Sequence, residues 1–300
     1  MEEAAVKQES NLLKYLTLLL KIAVTVICFW YIFRKIDFNA AKAAFLEANW
    51  AWLFVAVLLL MLSKVFSALR LNIYFRNIGI HLPERNNLQL YWLGMFYNLF
   101  LPGSISGDAY KVILLKKKFE ASYKKTSAAV LLDRFSGLLA LALIMSVCGV
   151  IVLDRKLYDV TLIVGSVIAL VASYLIVRHY FGDFLPGFWL TFFWGLLVQL
   201  TQVVCVYCIL LSLGVFGNET KWIFIFLVAA VVAVFPISLG GGLGTRELVF
   251  VEGAKYFSLD PQLGLVISLL FYLATVAASV WGVFFVFHDP LTNPNKKRPT

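Results

Sequence analysis

The sequence predicts an all-α integral membrane protein with about six spanning helices plus two re-entrant helical hairpins, arranged as two halves of inverted topology. Three observations carry that expectation. The 300-residue chain is 61% hydrophobic and only 14% charged, whereas soluble domains average roughly 45–50% apolar and about 25% charged residues. Six apolar runs meet or approach the roughly 20 residues that a helix needs to cross the hydrocarbon. Two further apolar segments are each interrupted by proline and glycine at corresponding places. A water-soluble fold of this size could not hide so much apolar surface.

The six runs fall at 12–33, 50–75, 126–153, 160–177, 188–213 and 263–287. The acidic start Met1-Glu2-Glu3 ahead of the first run fits a retained span better than a cleaved signal peptide. The first interrupted segment runs from 88 to 101, breaks at Pro102-Gly103 and resumes over 104–118. The second runs from 222 to 235, breaks over 236–244 and resumes over 245–257. Each arm is about 20 Å of helix, too short to cross comfortably. The two breaks align: Leu101-Pro102-Gly103-Ser104-Ile105-Ser106-Gly107 lies over Phe235-Pro236-Ile237-Ser238-Leu239-Gly240-Gly241, with Pro, Ser and Gly in register. Each break is the third element of a four-element half, 12–155 and 160–288, in one membrane domain over 1–300 with a polar tail at 289–300. Paired interruptions in two halves point to a repeat transporter and its binding site, with Pro102, Gly103, Pro236 and Gly241 as the expected hinges.

Charge sets the expected orientation. With three crossings and a hairpin in each half, one face collects 13 basic residues, among them Arg76, Lys116, Lys117, Lys118, Lys124 and Lys125, and the other collects 7. The basic-rich face is expected to be cytoplasmic, with both termini inside. A full crossing at the first break would instead expose the cluster between Lys116 and Lys125 to the outside. The net charge of +9 then reflects loops facing anionic lipid, with no nucleic-acid partner implied.

Other motifs are bland. Cys205-Val206-Tyr207-Cys208 has CxxC spacing but lies in an apolar run, as small filler. His81, His179 and His288 lack metal-ligand spacing, and neither a Walker loop nor a GxSxG elbow appears, so neither a metal nor a cofactor is expected. Trp50, Trp52, Trp92 and Trp222, at segment edges, are expected in the interfacial aromatic belt.

Charges inside a bilayer cost roughly 2.5–3.5 kcal/mol each on insertion scales, so each one is a functional candidate. At the first tip Asp108 and Lys111, three apart, share a helix face. At the second, Arg246 and Glu247 are adjacent and need outside partners. The simplest satisfied arrangement pairs Asp108 with Arg246 and Glu247 with Lys111, either as staples between the hairpins or as a gate that binds an anionic group. Each second arm starts at its break, so its positive dipole end faces inward. Ser104, Ser106 and Ser238 add hydroxyls, and Gly240, Gly241, Gly242 and Gly244 admit close backbone approach. That set suits a phosphate or phosphodiester. Lys64 and Asp133, at similar counted depth, are expected to neutralise each other. Arg70 and Arg134, near the inner headgroup level, fit either snorkelling or a role in headgroup entry. Asn98, four residues before Pro102, either satisfies backbone freed by the break or contacts the ligand.

Three ordered stretches carry a family resemblance. They are Asn98-Leu99-Phe100-Leu101-Pro102-Gly103-Ser104-Ile105-Ser106-Gly107-Asp108-Ala109-Tyr110-Lys111, then Leu132-Asp133-Arg134-Phe135-Ser136-Gly137-Leu138, then Pro236-Ile237-Ser238-Leu239-Gly240-Gly241-Gly242-Leu243-Gly244-Thr245-Arg246-Glu247. They resemble the flippase-like membrane domain of the lysylphosphatidylglycerol synthase/flippase family, which also occurs as stand-alone proteins, and the resemblance covers nearly the whole chain. It implies a multi-pass protein of a bacterial or archaeal cytoplasmic (inner) membrane that moves lipids or lipid-linked groups between leaflets. It also implies that the first and third stretches form the re-entrant substrate region, with Asp133-Arg134 as support. Lys111 stands where members often have Arg, trading a bidentate fork for a point charge. The aminoacyl-transferring domain of the fused synthases has no counterpart here, so synthesis of aminoacylated lipid by this chain alone is not expected.

The expected function is therefore a lipid translocase, not an enzyme. Its substrate would be an anionic phospholipid or a lipid-linked polyprenyl or glycosyl carrier, its headgroup passing Asn98, Ser104, Asp108, Lys111, Ser238, Arg246 and Glu247 while Lys64, Arg70, Asp133 and Arg134 give support. The alternatives are a membrane-embedded lipid-modifying enzyme that uses Asp108, Asp133 or Glu247 as acid or base, and an ion-coupled small-solute transporter of the same architecture.

Overall fold

The computed structural model describes residues 43, 46–100, 106–153, 155–234 and 245–291. The expected span at 12–33, the break residues Pro102, Gly103, Ser104, Pro236, Ser238 and Gly241, and the tail beyond 291 lie outside the described residues.

Among the described residues every regular element is helical. In chain order these are α1 (Trp50–Asn77), α2 (Glu84–Phe100), α3 (Ser106–Phe119), α4 (Tyr123–Leu153), α5 (Lys156–Tyr180), α6 (Phe188–Ser212), α7 (Glu219–Val234), α8 (Thr245–Tyr256), α9 (Pro261–Val280) and the short α10 (Phe284–Phe287). A 3-10 turn at Gly182–Gly187 leads into α6, and another at Trp281–Val283 joins α9 to α10. Five helices are long and apolar enough to cross a membrane: α1, α4, α5, α6 with its leading turn, and α9 through α10. They fall on five of the six expected runs, within a few residues at each end. Local chemistry sets several starts. The Asn49 side chain accepts the Ala51 N–H ahead of α1, and the Asp260 side chain accepts the Gln262 N–H ahead of α9, where Pro261 needs no donor partner.

The four remaining long helices are the arms of the two broken segments. With 17, 14, 16 and 12 residues, they reach about 25, 21, 24 and 18 Å, short of the ~30 Å hydrocarbon core. Each pair folds back on itself. In the first, Gly107 of α3 lies against Gly94 of α2, and the Lys111 ammonium sits 4.3 Å from the centre of the Tyr91 ring. In the second, Gly253 of α8 lies against Ile225 of α7, and the Phe257 and Phe224 rings meet edge to face. Rising numbers on one arm meet falling numbers on the other, the signature of a hairpin rather than of a kinked helix.

The hairpins enter from opposite ends. At one end Arg76 pairs with Glu84, Lys118 with Asp289 and Lys125 with Asp183, tying together the end of α1, the outer ends of α2 and α3, the start of α4 and the segments after α5 and α10. The basic cluster Lys116, Lys117, Lys118, Lys124 and Lys125 lies at this end. At the opposite end the Asn49 N–H donates to the Ser212 carbonyl at 2.8 Å, where the loop from α6 leads into α7. Each end has its own apolar core: Leu71, Phe75, Leu90, Leu115 and Phe184 at the basic end, and Ile209, Trp222, Phe226, Phe250 and Ile267 at the other. In lipid such cores gain little from leaving solvent, so close packing and polar contacts must hold the helices together. Of the α5 residues only Ser173 and Val177 are buried, and its exposed Ile163, Val167 and Val171 meet the bilayer.

One expectation about tryptophan is corrected. Trp50 and Trp52 are exposed at the start of α1, as a belt requires, but Trp222 is 1% exposed inside a core. Trp92 is half-buried and donates its indole N–H to the Ala278 carbonyl at 3.2 Å. Both belong to hairpin arms, which are wrapped by the spanning helices, so a segment edge there is not a protein surface.

The Gly94–Gly107 crossing is the tightest point of the first hairpin: a Cβ on Gly107 would fall on the Gly94 carbonyl. Gly107→Ala is expected to lower the thermal stability of detergent-solubilised protein by about 2–3 kcal/mol, since backbone cannot step aside as a side-chain end can. Gly165→Ala, where a Cβ meets open space, is expected to stay within about 0.5 kcal/mol. Equal effects of the two changes on the unfolding midpoint would rule out the crossing as a structural constraint.

Candidate functional site

Charged residues gather between the two apolar cores. Asp108, on the first turn of α3, is 6% exposed and divides its carboxylate between two cations. Its Oδ1 accepts from Lys111 Nζ at 2.9 Å, one helical step along the same face, and its Oδ2 accepts from Arg134 Nε of α4. The expected i,i+3 adjacency is thus present, but both expected cross-tip pairs are replaced. Asp108 binds Arg134 where Arg246 was expected, and Lys111 rests on Asp108 and the Tyr91 ring where Glu247 was expected. The reason is proximity: α4 passes beside α3 with a cation already facing it. Lys111 also lies over Gly94, whose missing side chain leaves room for the ammonium stem. Asn98 bridges the break by accepting the Gly107 N–H at 2.8 Å, capping the start of α3.

A second buried pair joins α1 to α4. Arg70 Nε donates to Asp133 Oδ1 at 2.7 Å, with the two side chains 5% and 8% exposed. Arg70 therefore does not snorkel, and it takes the carboxylate expected to serve Lys64. Counting residues inward from segment ends misjudged the partner of Asp133, which meets α1 at Arg70, nearer the end that α1 shares with the start of α4. Gly137 and Gly195 make space for the guanidinium: a Cβ at either would lie within 3.0–3.4 Å of its terminal nitrogens. Lys64 is half-buried about two turns before Arg70 on α1, within the electrostatic reach of Arg246, Arg70 and Lys111.

In the second hairpin, Arg246 and Glu247 open α8 just past the break. The Arg246 guanidinium stacks 4.8 Å from the centre of the Phe271 ring of α9, and Glu247 accepts from the Ser268 hydroxyl at 3.2 Å. Counting Lys64, Arg70, Lys111, Arg134 and Arg246 against Asp108, Asp133 and Glu247, this layer has more cations than carboxylates.

A cavity of about 300 Å³ lies where the two hairpins converge. Its polar wall consists of Asn98 from α2, Arg134 from α4, Gln199 and Gln202 from α6, Arg246 from α8, and Thr275 and Ser279 from α9. No carboxylate lines it among the described residues. The helix starting at Thr245 directs its positive end toward this space, since its second residue is part of the wall. The arrangement offers two guanidinium groups and three side-chain amides to an anion that also bears hydroxyl groups. Asp108, itself anchored by Lys111, lies behind Arg134 and pairs with it; neither Asp108 nor Lys111 is part of the wall. Sequence reading missed Gln199, Gln202, Thr275 and Ser279. Gln199-Leu200-Thr201-Gln202 is a polar interruption in a spanning run, and that signal could have marked one face of α6. The tip residues Ser104 and Ser238 lie outside the described residues.

The Arg70–Asp133 pair yields a stability prediction. Asp133→Leu leaves a buried cation without its partner and is expected to cost about 3–5 kcal/mol, whereas the double change Arg70→Met with Asp133→Leu is expected to recover most of that loss. Unfolding midpoints in detergent measure both. A double variant no more stable than the single one would show that the pair's charge is not what Asp133→Leu disturbs.

Comparison with known proteins agrees with this architecture. A 134-residue stretch, 44% of the chain, is 26% identical to the UPF0104 membrane protein PH1989 of Pyrococcus horikoshii and covers 39% of that protein. The chain thus matches well under half the length of that curated relative. The family model for the lysylphosphatidylglycerol synthase TM region matches residues 18–186 and 179–282, taking in both hairpins, four of the candidate spans and most of the fifth. The chain belongs to that family, which is associated with flippase-like function in lipid membranes.

Proposed function

We propose that the protein is a lipid translocase that carries the headgroup of an anionic lipid through the cavity between its two hairpins while the hydrocarbon chains stay in the bilayer. One observation carries this reading: the cavity wall holds Arg134 and Arg246 and, among the described residues, no carboxylate. In a low-dielectric interior such a wall favours a negative guest, and arginine forks match phosphate oxygens. Asn98, Gln199 and Gln202 each both donate and accept, which suits a phosphodiester bearing a glycerol or sugar.

The hairpins entering from opposite ends support a design of two inverted halves, 12–155 and 160–288, that rock about a fixed central site. The concentration of lysines at the end where the first hairpin opens supports placing that end in the cytoplasm of a bacterial or archaeal cell, in its cytoplasmic membrane. An enzymatic reading is less well supported. Asp108 is held by Lys111 and Arg134, and Asp133 by Arg70, so these carboxylates act as counter-ions and are not poised as acid or base.

The test is leaflet exchange of fluorescent phosphatidylglycerol in proteoliposomes, read by quenching of the outer leaflet. Arg246→Gln and Arg134→Gln are each expected to slow exchange by about tenfold to a hundredfold, the worth of one charge-assisted contact. Thr275→Val is expected to cost a few-fold at most, about 1 kcal/mol or less for one neutral hydrogen bond. Exchange at the wild-type rate in both arginine variants, with folding intact by size exclusion, would sink the proposal.

A further inference from the structure

A second concavity lies on the outer side of the helices that wall the cavity. It is a groove of about 610 Å³ between α4, α5 and α6, lined by Leu143, Val147, Ile163, Val167, Leu196 and Leu200 among others. That size falls within the about 300–1,000 Å³ of ordinary ligand pockets. Among the described residues its hydroxyls are those of Ser146 and Ser166, which already donate inside their own helices, to the Ala142 carbonyl at 2.8 Å and the Leu162 carbonyl at 2.7 Å. The groove therefore offers a guest no polar contact. Val147, Ile163 and Val167 are 65%, 55% and 57% exposed, so it opens toward the bilayer.

Groove and cavity share two helices. On α4, Arg134 and Leu141 line the cavity and Leu143 and Val147 the groove; on α6, Gln199 and Gln202 line the cavity and Leu196 and Leu200 the groove. Among the described residues, the α4–α6 contact lies between them, with the Arg70 guanidinium of α1 seated against its two glycines. That seam is built of small residues: a Cβ at Gly195 would lie 3.2 Å from the Ser136 carbonyl and 3.3 Å from the Ala140 Cβ. An inter-helix hydrogen bond crosses it, from Gln199 Nε2 to the Gly137 carbonyl at 3.2 Å. Small faces let helices approach and part without unlocking large side chains.

We propose that the groove binds a hydrocarbon chain of the same lipid whose headgroup the cavity holds, and that the headgroup enters between α4 and α6 at Gly137 and Gly195. The inference rests on the translocase reading above and adds to it the place of the tail and the route of entry. A membrane lipid is the occupant because the groove faces the bilayer, offers only apolar contacts, and lies against a cavity whose arginines suit the other end of such a molecule.

The experiment uses the full chain in vesicles containing phosphatidylglycerol with a diazirine in one acyl chain. Crosslinks are mapped by mass spectrometry, and leaflet exchange of fluorescent phosphatidylglycerol is followed in parallel. The expected result is labelling concentrated on 143–151 and 163–167 over the equally exposed Val171 and Leu175 of α5. Val147→Trp and Ile163→Trp, both at bilayer-exposed positions where folding is not at risk, are each expected to reduce groove labelling and exchange by about tenfold. Labelling spread evenly over exposed apolar faces, or unchanged in both variants, would overturn the groove. In a background without native cysteines, an Ala140→Cys, Gly195→Cys disulfide across the seam is expected to stop exchange until reductant is added; full-rate exchange with the seam locked would overturn the entry route. Groove labelling that disappears in the tryptophan variants without any leaflet exchange would keep the groove and remove the translocase reading instead.

Discussion

A charge placed in hydrocarbon has to find its opposite, and in this molecule that requirement organises the middle of the fold. Arg70 with Asp133, and Asp108 shared by Lys111 and Arg134, connect α1, α3 and α4 in one layer. Neither carboxylate could be lost without stranding a cation where solvation is poor. Because the apolar cores at the two ends gain little by association in lipid, these contacts and the close glycine crossings fix which helix meets which.

Glycine and charge act together at this level. The Gly94–Gly107 crossing brings α3 close enough to α2 for Lys111 to reach the Tyr91 ring. Gly137 and Gly195 leave a slot for the Arg70 guanidinium between α4 and α6. The same two glycines bring α4 and α6 close together, so one feature accommodates the buried ion pair and lies between the polar cavity and the apolar groove. The buried ion pair and the proposed entry route thus involve the same residues.

The elements themselves were legible in the sequence. Five expected spans and four expected arms fall on observed helices, because a run of about 20 apolar residues and a Pro-Gly interruption are local properties that lipid enforces strongly. The adjacency of Asp108 and Lys111 was legible for the same local reason, three residues being one step along a helix face. The partners were not. Asp133 was assigned to Lys64 and belongs to Arg70, and Asp108 was assigned to Arg246 and belongs to Arg134, because both assignments required relative heights and azimuths that spacing along one chain does not contain. Trp222 looked interfacial at a segment edge and is instead sealed in a core.

The sequence by itself determined a helical protein of the bilayer, its two interrupted segments, and the list of charges that need explanation, since each follows from the composition of a short stretch meeting a uniform apolar solvent. Only the tertiary structure decided that Asp133 pairs with Arg70 and Asp108 with Arg134, that Arg134 joins Arg246 in one wall, and that Gln199 and Gln202 complete it. Those outcomes depend on which faces of six different helices turn toward a common space. That choice is made by packing between distant segments, where no local preference of the chain reaches.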